Sequence, residues 1–167
     1  MTKTLSTFKH LECSLTGDTF PIDQPMRLSP TSDKPLLARY DLKKAANTLN
    51  KENLYKRRND MWRYEELMPV LDDKNIVSLG EGNTPFMRLK NLSKKFLIDN
   101  LFVKDESNNP TGSFKARGLS AAISKAKEYG IKGIVMPSAG NAAGAMSAYA
   151  SKSKMEANVF MPKDAPI

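Results

Sequence analysis

Residues 133–161 read GIVM-PSAGN-AAGAMSAYASKSKMEA-NVFM, and this stretch decides the fold class. Its apolar runs, GIVM at 133–136 and NVFM at 158–161, have the length of β-strands, and the segment between them has helical spacing. One face of that helix carries residues suited to a core, namely Ala142, Ala145, Met146 and Tyr149. A strand, a helix and a second strand in this order predict a parallel βαβ unit, because parallel neighbours need a crossover connection.

A similar strand and helix pattern lies upstream. A short run at Leu101–Lys104 predicts another strand. The helix that follows it has one face made of Leu119, Ala122, Ile123, Ala126 and Tyr129. Together the patterns predict a β-α-β-α-β arrangement, which is an α/β fold with a parallel sheet. Such a sheet has open edges and uncovered apolar helix faces, so we expect this chain alone to be weakly stable.

The sequence pattern of residues 1–75 predicts an arm that precedes this unit. Prolines interrupt any long element there, at Pro21, Pro25, Pro30 and Pro35. Asp60 is a candidate N-cap of a short helix that Pro69 ends, with an apolar face made of Met61, Tyr64 and Leu67. The loop SLGEGNTP at 78–85 follows, and its glycines and proline indicate a shaped backbone. We therefore divide the chain into an arm at 1–75 and the first part of a catalytic domain at 76–167.

The composition is that of a globular chain with a basic balance. Of 167 residues, 40% are hydrophobic and 26% are charged, and the formal net charge is +8. The densest basic segment, Lys51 to Arg63, also contains Glu52 and Asp60, which favours a solvated helix face over a nucleic-acid surface. No apolar run has the length of a membrane span, and the polar start MTKTLSTFKH has no export signal, so we expect a cytoplasmic protein.

The single cysteine and the single histidine bear on metals and disulfides. With Cys13 as its one thiol, the chain cannot form an internal disulfide. With His10 as its one imidazole, a structural zinc site is not expected, and we predict no metal ligand.

Lys115 is the candidate nucleophile. In NPTGSFKARG at 109–118, a turn leads to Ser113, which can cap the following helix and so places Lys115 in its first turn. The positive end of the helix dipole disfavours an ammonium there and favours the neutral amine, which is the form that attacks an aldehyde. In a chain this basic, an ordinary surface lysine is the alternative interpretation, and composition alone favours it.

A second loop, PSAGN at 137–141, joins the strand at 133–136 to its helix. Small residues at a strand-to-helix turn expose backbone N–H groups that can bind a carboxylate or phosphate. Asn141 is a candidate N-cap and also a candidate donor to a ligand, and a plain helix cap remains the alternative. Gly144, inside the helix, indicates a close approach by a ligand or a neighbouring strand. Both loops follow parallel strands at their carboxyl ends, where ligands of open α/β sheets bind.

Several of these segments resemble the threonine synthase branch of the fold-type-II pyridoxal-phosphate-dependent enzymes. The similarity includes RNDMWRY at 58–64, LGEGNTP at 79–85, NPTGSFKARG at 109–118, SAGN at 138–141 and VFMP at 159–162. By that resemblance Lys115 would hold pyridoxal 5'-phosphate as a Schiff base, and Asn141 would donate to the oxygen on its ring. Ser138, Ala139 and Gly140 would receive the substrate carboxylate, and Thr84 would lie near the site.

The resemblance also implies a fold and a reaction. The fold would be an incomplete three-layer arrangement like that of the tryptophan synthase β subunit, and the full-length protein could form a homodimer. The reaction would convert O-phosphohomoserine and water to threonine and phosphate, a lyase reaction on a small amino-acid substrate with no nucleic acid or membrane partner. Two alternatives stay open. One is a related enzyme of the threonine dehydratase or cysteate synthase type, and the other is a non-catalytic remnant.

This sequence departs from the family pattern in three places. Ala116 follows the lysine where the family often has aspartate, which removes an acid from the first turn of the helix. CSLTG at 13–17 keeps one thiol of a Cys-x-x-Cys-Gly knuckle. The sequence also stops at Ile167, before the family's glycine-rich loop for the cofactor phosphate. We therefore expect this chain alone to be catalytically inactive.

Overall fold

The computed structural model describes residues 6–165. Its strands are β1 Phe8–Cys13, β2 Thr19–Phe20, β3 Leu36–Tyr40, β4 Phe86–Arg88, β5 Phe102–Lys104, β6 Gly133–Pro137 and β7 Glu156–Phe160. Its α-helices are α1 Leu42–Ala46, α2 Lys51–Leu54, α3 Lys90–Phe96, α4 Lys115–Glu128 and α5 Asn141–Ser153. Short 3-10 helices cover Met61–Leu67, Asp73–Asn75 and Glu106–Asn108.

The βαβ unit predicted from residues 133–161 is confirmed. β6 and β7 pair in parallel, with Gly133 opposite Glu156 and Pro137 opposite Phe160, and α5 connects them. β7 begins two residues before the predicted start at Asn158, and Met161 lies beyond its end.

The prediction of a third parallel strand at 101–104 is wrong. β5 pairs antiparallel with β4, a three-residue strand that the sequence pattern did not reveal, and the register places Phe86 opposite Lys104. The rings of Phe86 and Phe102 stack across this pair with centroids 4.8 Å apart. Pairing with the nearer strand closes a shorter loop than pairing with β6 across α4, so it costs less chain entropy. In the described part of the chain, the β-α-β-α-β unit is therefore reduced to one βαβ unit in a mixed α/β fold.

The core lies between α4, α5 and the β6–β7 pair. Its completely buried members are Ala116, Ile123, Ala145, Met146, Tyr149 and Ala150. These residues confirm most of the two predicted apolar faces. Ala122 is the exception on α4, because it is exposed, and Tyr129 is only half-buried.

A polar stripe on α4 holds the chain segment that precedes β4. Ser120, Ser124 and Glu128 recur at four-residue spacing, so they lie along one side of the helix. Ser124 Oγ accepts from the backbone N–H of Val77 at 2.8 Å, and Ser120 Oγ lies 2.8 Å from the Val77 carbonyl oxygen. A Glu128 oxygen accepts from Leu71 N at 2.8 Å. These side chains satisfy backbone groups that have no strand partner, and so they fix the segment against the helix.

The arm contains an antiparallel sheet, in the order β2-β1-β3, and the 3-10 helix Met61–Leu67. Asp60 caps this helix as predicted, since its carboxylate accepts from Trp62 N at 2.9 Å. The predicted apolar face is wrong, because Tyr64 and Leu67 are exposed while Met61 and Trp62 are buried. A 3-10 helix has three residues per turn, and Tyr64 is not helical (φ −97°, ψ 40°), so the expected 3.6-residue repeat does not apply.

Cys13 lies buried at the end of β1. Its Sγ is 3.1 Å from Ser32 Oγ, and the N–H of Thr16 donates to it at 3.4 Å. Hydrogen bonding with Ser32 and then with Thr16 lowers the pKa of this thiol to about 6. Within residues 6–165, no three His, Cys, Asp or Glu side chains cluster as metal ligands would. None of the helices in that range combines the length and the apolar character needed to cross a bilayer.

The arm is braced by a bidentate ion pair between Arg57 and Glu66. The two guanidinium nitrogens donate to the carboxylate at 2.6 and 2.7 Å, and Thr48 Oγ1 donates to it at 2.5 Å. The Glu66 side chain is only 3% exposed. Hydrogen bonds from Arg57 outweigh the effect of burial and lower the pKa of Glu66 to about 2.

This ion pair predicts an acid-sensitive fold. Because the folded-state pKa of Glu66 lies below its ordinary value of 4.5, its contribution to stability is complete above that value and is lost as the pH falls towards 2. The thermal midpoint of the chain, followed by circular dichroism, should therefore drop over this range. In Glu66→Gln the drop should be smaller and the midpoint at neutral pH lower. An equal acid-induced drop in both proteins would contradict this account.

Candidate functional site

Lys115 is the first residue of α4, which confirms its predicted place in the first turn. Its side chain is half-buried, and its Nζ lies over the ring of Phe114, 4.4 Å from the centroid. Within residues 6–165 this amine makes no hydrogen bond or ion pair. Its recorded contact among those residues is with the Phe114 ring.

The predicted cap by Ser113 is wrong. The N-cap position belongs to Phe114, whose backbone is already helical (φ −59°, ψ −16°) and whose side chain cannot accept a hydrogen bond. The hydroxyls of Ser113 and Thr111 are buried and have no partner among the described residues. A buried hydroxyl without a partner costs about 1–3 kcal/mol, and these two come shortly before Lys115 in the sequence.

The 138–141 loop begins where the β6–β7 pair ends. Ser138 N donates to the Phe160 carbonyl at 3.0 Å, which extends the parallel pairing by one residue. Ser138 Oγ accepts from Gly140 N at 3.3 Å, and this holds the turn in shape. Ala139 and Gly140 are exposed.

Asn141 is not the N-cap that the sequence predicts. Gly140 occupies that position, and no side chain caps the helix, so Asn141 is the exposed first residue of α5. The alternative interpretation of Asn141 as a plain cap fails on the same observation. The first N–H groups of α5 lack the intrahelical acceptors that later residues have, and both they and the amide of Asn141 can serve a ligand.

Small residues keep the start of α5 open. A Cβ added at Gly140 would meet no atom within 4 Å in the described structure, and the same holds at Gly144. The close neighbour expected at Gly144 is therefore not present among residues 6–165. What the glycines provide here is open access to the helix backbone.

Thr84 lies buried in the 79–85 loop, and this loop is tightly held. Thr84 Oγ1 donates to Glu106 at 2.6 Å, and Gly82 N donates to Asn109 Oδ1 at 3.1 Å. Gly82 has a φ of +104°, and a Cβ at this position would lie 2.6 Å from Met61 N. Glycine is required there both for its backbone conformation and for the close approach of the arm.

Glu106 and Arg117 form an ion pair that the sequence did not reveal. Arg117 Nε and Nη2 donate to the carboxylate at 2.6 and 2.8 Å, which is the bidentate arrangement. Hydrogen bonds from Arg117, with further ones from Thr84 and Asn109, lower the pKa of Glu106 to about 2 against the effect of burial. The pair connects Thr84 to the helix of Lys115.

Glu81 is a second acid that the sequence did not single out. Its side chain is completely buried and accepts from Trp62 Nε1 at 2.9 Å, Ser120 Oγ at 2.5 Å and Tyr149 OH at 2.7 Å. Burial raises the pKa of Glu81, but these hydrogen bonds outweigh it and leave the pKa below its ordinary value. Burial and the same carboxylate raise the pKa of Tyr149. Glu81 therefore joins the arm, the 79–85 loop, α4 and α5.

The predicted site residues fall into two groups. Thr84 is connected to the start of α4, and so to Lys115, through Glu106 and Arg117. The 138–141 loop starts α5, and in the described chain no hydrogen bond joins it to Lys115 or Thr84. The α4–α5 packing and Glu81 connect the two groups indirectly.

Comparison with known proteins gives the family. The model of the family described as "Pyridoxal-phosphate dependent enzyme" matches residues 77–167, which contain every residue of this site. The chain belongs to this family. Members of this pyridoxal-phosphate-dependent family carry out their chemistry with that cofactor and act on small molecules.

The similar curated proteins are threonine synthases. The enzyme of Methanocaldococcus jannaschii is 40% identical over 124 residues, which are 74% of this chain and 31% of that protein. The enzyme of Halalkalibacterium halodurans is 43% identical over 100 residues, or 60% of this chain and 28% of that protein. The enzyme of Methanosarcina acetivorans is 32% identical over 153 residues, which are 92% of this chain and 37% of that protein. This member of the pyridoxal-phosphate family thus spans about a third of the length of these relatives.

The residues present fit the cofactor of the family. Its aldehyde requires an amine that is not held in an ion pair, and Lys115 offers one. Its polar substituents require hydrogen-bond partners, and the unpaired hydroxyls of Thr111 and Ser113 lie beside that amine in the sequence. A negative group is also favoured by the uncapped start of α5.

Proposed function

We propose that this chain carries the lysine half of a threonine synthase site, in a protein that converts O-phosphohomoserine and water to threonine and phosphate. The observation that carries the proposal is the amine of Lys115 at the start of α4, which no hydrogen bond or ion pair holds in the described structure and which follows two unpaired buried hydroxyls in the sequence. The names of the relatives supply the choice of reaction within the family. In class, the enzyme would be a carbon–oxygen lyase acting on a phosphate ester.

Lys115 has two tasks in this proposal. Its amine binds the cofactor aldehyde, and once released it removes and returns protons at the carbons of the substrate, a general acid–base role. When bound, pyridoxal phosphate supplies an electron sink for negative charge on the carbon next to the substrate amine.

The other residues bind and orient. The Asn141 amide would donate to the oxygen on the cofactor ring, and Ser138, Ala139 and Gly140 would line the loop that receives the substrate carboxylate. Thr84 lies at the edge of the site, where the 79–85 loop meets α4. In this arrangement residues 76–167 form the first part of a three-layer fold-type-II domain, and residues 1–75 form the arm.

The test measures threonine and phosphate formed from O-phosphohomoserine by two preparations loaded with pyridoxal phosphate. One is the chain as it stands, which we expect to be inactive. The other is the chain joined to the C-terminal two thirds of the Methanocaldococcus jannaschii relative, since this chain spans 31% of that protein. We expect turnover in the joined protein and its loss in the joined Lys115→Ala variant. A joined protein that leaves O-phosphohomoserine intact but deaminates threonine or serine would replace the proposal with a dehydratase function.

A further inference from the structure

We propose that Glu106 is a positioning residue that holds the 82–84 loop against the start of α4 and so fixes the helix turn that carries Lys115. This inference rests on the proposed function, because it gives Lys115 its catalytic role. Nothing in the geometry places Glu106 in contact with the reacting atoms.

The Glu106 carboxylate lies where three separate segments meet. One oxygen accepts from Thr84 Oγ1 at 2.6 Å and from Arg117 Nη2 at 2.8 Å. The other accepts from Arg117 Nε at 2.6 Å and from Asn109 Nδ2 at 2.9 Å. Asn109 in turn accepts from Gly82 N at 3.1 Å. A single carboxylate therefore sets the position of the loop relative to the helix.

The negative charge of Glu106 also makes up for the lack of an acid in the first turn of α4. The first turn of α4 contains no acid and carries two basic residues, Lys115 and Arg117, at the end of the helix dipole that disfavours positive charge. Ala116 stands between them and adds no charge. Glu106 supplies negative charge to this turn from a different segment. Its bidentate contact with Arg117 also holds the guanidinium in one orientation.

The Arg57–Glu66 pair provides a matched control. It also has a bidentate arginine, a threonine hydroxyl on the same carboxylate and a carboxyl pKa of about 2. It contacts none of the predicted site residues. The Glu66 side chain is 3% exposed and that of Glu106 is 27% exposed, so loss of the control carboxylate should cost more stability.

The experiment compares the full chain with Glu106→Gln and Glu66→Gln in two measurements. The first is hydrogen exchange without cofactor, where Glu106→Gln should speed exchange of the Gly82 amide by about tenfold and Glu66→Gln should not change it. The second is borohydride trapping with pyridoxal phosphate, where Glu106→Gln should lower the fraction of modified Lys115 by about tenfold. In Glu66→Gln the fraction of modified Lys115 should equal that of the unaltered chain, although the unfolding midpoint should fall further than in Glu106→Gln.

The outcomes separate this inference from the proposed function. Unchanged Gly82 exchange in Glu106→Gln would overturn the positioning role. The positioning role would also be overturned if, in both variants, the trapped fraction of Lys115 fell in the same proportion to the unfolding midpoint. If the unaltered chain shows no selective trapping at Lys115, the proposed function fails, while the exchange measurement still decides the role of Glu106.

Discussion

Lys115→Ala is expected to abolish the selective covalent attachment of pyridoxal phosphate while leaving the fold intact. The side chain is half-buried and forms no ion pair in the described structure, so its removal should change the free energy of unfolding by less than about 0.5 kcal/mol. In the proposed function its amine binds the cofactor aldehyde, and alanine has no replacement for it. The measurement is the visible absorbance band that the lysine-bound cofactor produces.

Two variants serve as controls for this prediction. Lys127→Ala removes a lysine from the other end of the same helix, where its Nζ donates to the Lys74 carbonyl at 2.8 Å, and should retain the band. Lys115→Arg keeps the charge but not the nucleophilic amine, because an arginine side chain stays protonated, and should lose the band. A band that persists in Lys115→Ala would show that another amine binds the cofactor.

Glu81→Ala is expected to lower the free energy of unfolding by at least about 3 kcal/mol, because the donors on a fully buried carboxylate lose their acceptor. The Tyr149 hydroxyl would be left buried with no partner in the described structure, and the Leu79 N–H would lose its acceptor. Glu81→Gln should also destabilise, by about 2 kcal/mol, because its NH2 group would face donors that need an acceptor. Urea denaturation followed by Trp62 fluorescence measures both values.

The control for Glu81 is an exposed glutamate with a comparable side-chain bond. Glu156 accepts from Asn158 Nδ2 at 3.1 Å on the surface of β7, and Glu156→Ala should change the free energy of unfolding by less than about 0.5 kcal/mol. Equal losses in Glu81→Ala and Glu156→Ala would mean that the buried carboxylate does not hold the four segments together.

The sequence was sufficient for the features that depend on local periodicity. The βαβ unit at 133–161 could be predicted because an apolar run, a helical repeat and a second apolar run occur in one continuous stretch. Lys115 could be placed at a helix start because a turn precedes it and a helical repeat follows. Both statements need only neighbouring residues.

The sequence failed where a partner elsewhere in the fold decides the outcome. β4 has three residues and no periodic pattern, and its pairing with β5 is what removes the third parallel strand. Ser113 and Asn141 have the side chains of N-caps, but the helices begin after Phe114 and Gly140. Propensity for capping does not fix the residue at which a helix starts when tertiary packing sets the backbone angles.

The two acids of the site illustrate the same limit. Glu81 accepts from side chains 19, 39 and 68 positions away, and Glu106 accepts from residues 22 and 11 positions away. No local spacing connects these residues. The sequence feature that could have singled out Glu81 is its place between Gly80 and Gly82. Both glycines have positive φ in the structure, and this tight loop buries the glutamate.

Borohydride reduction of the full chain with pyridoxal phosphate, followed by digestion and mass spectrometry, tests whether Lys115 holds the cofactor. We expect the reduced cofactor on Lys115 well above every other lysine of this basic chain. If the label is found mainly on a different lysine, or spread evenly over the surface lysines, Lys115 is not the residue that holds the cofactor.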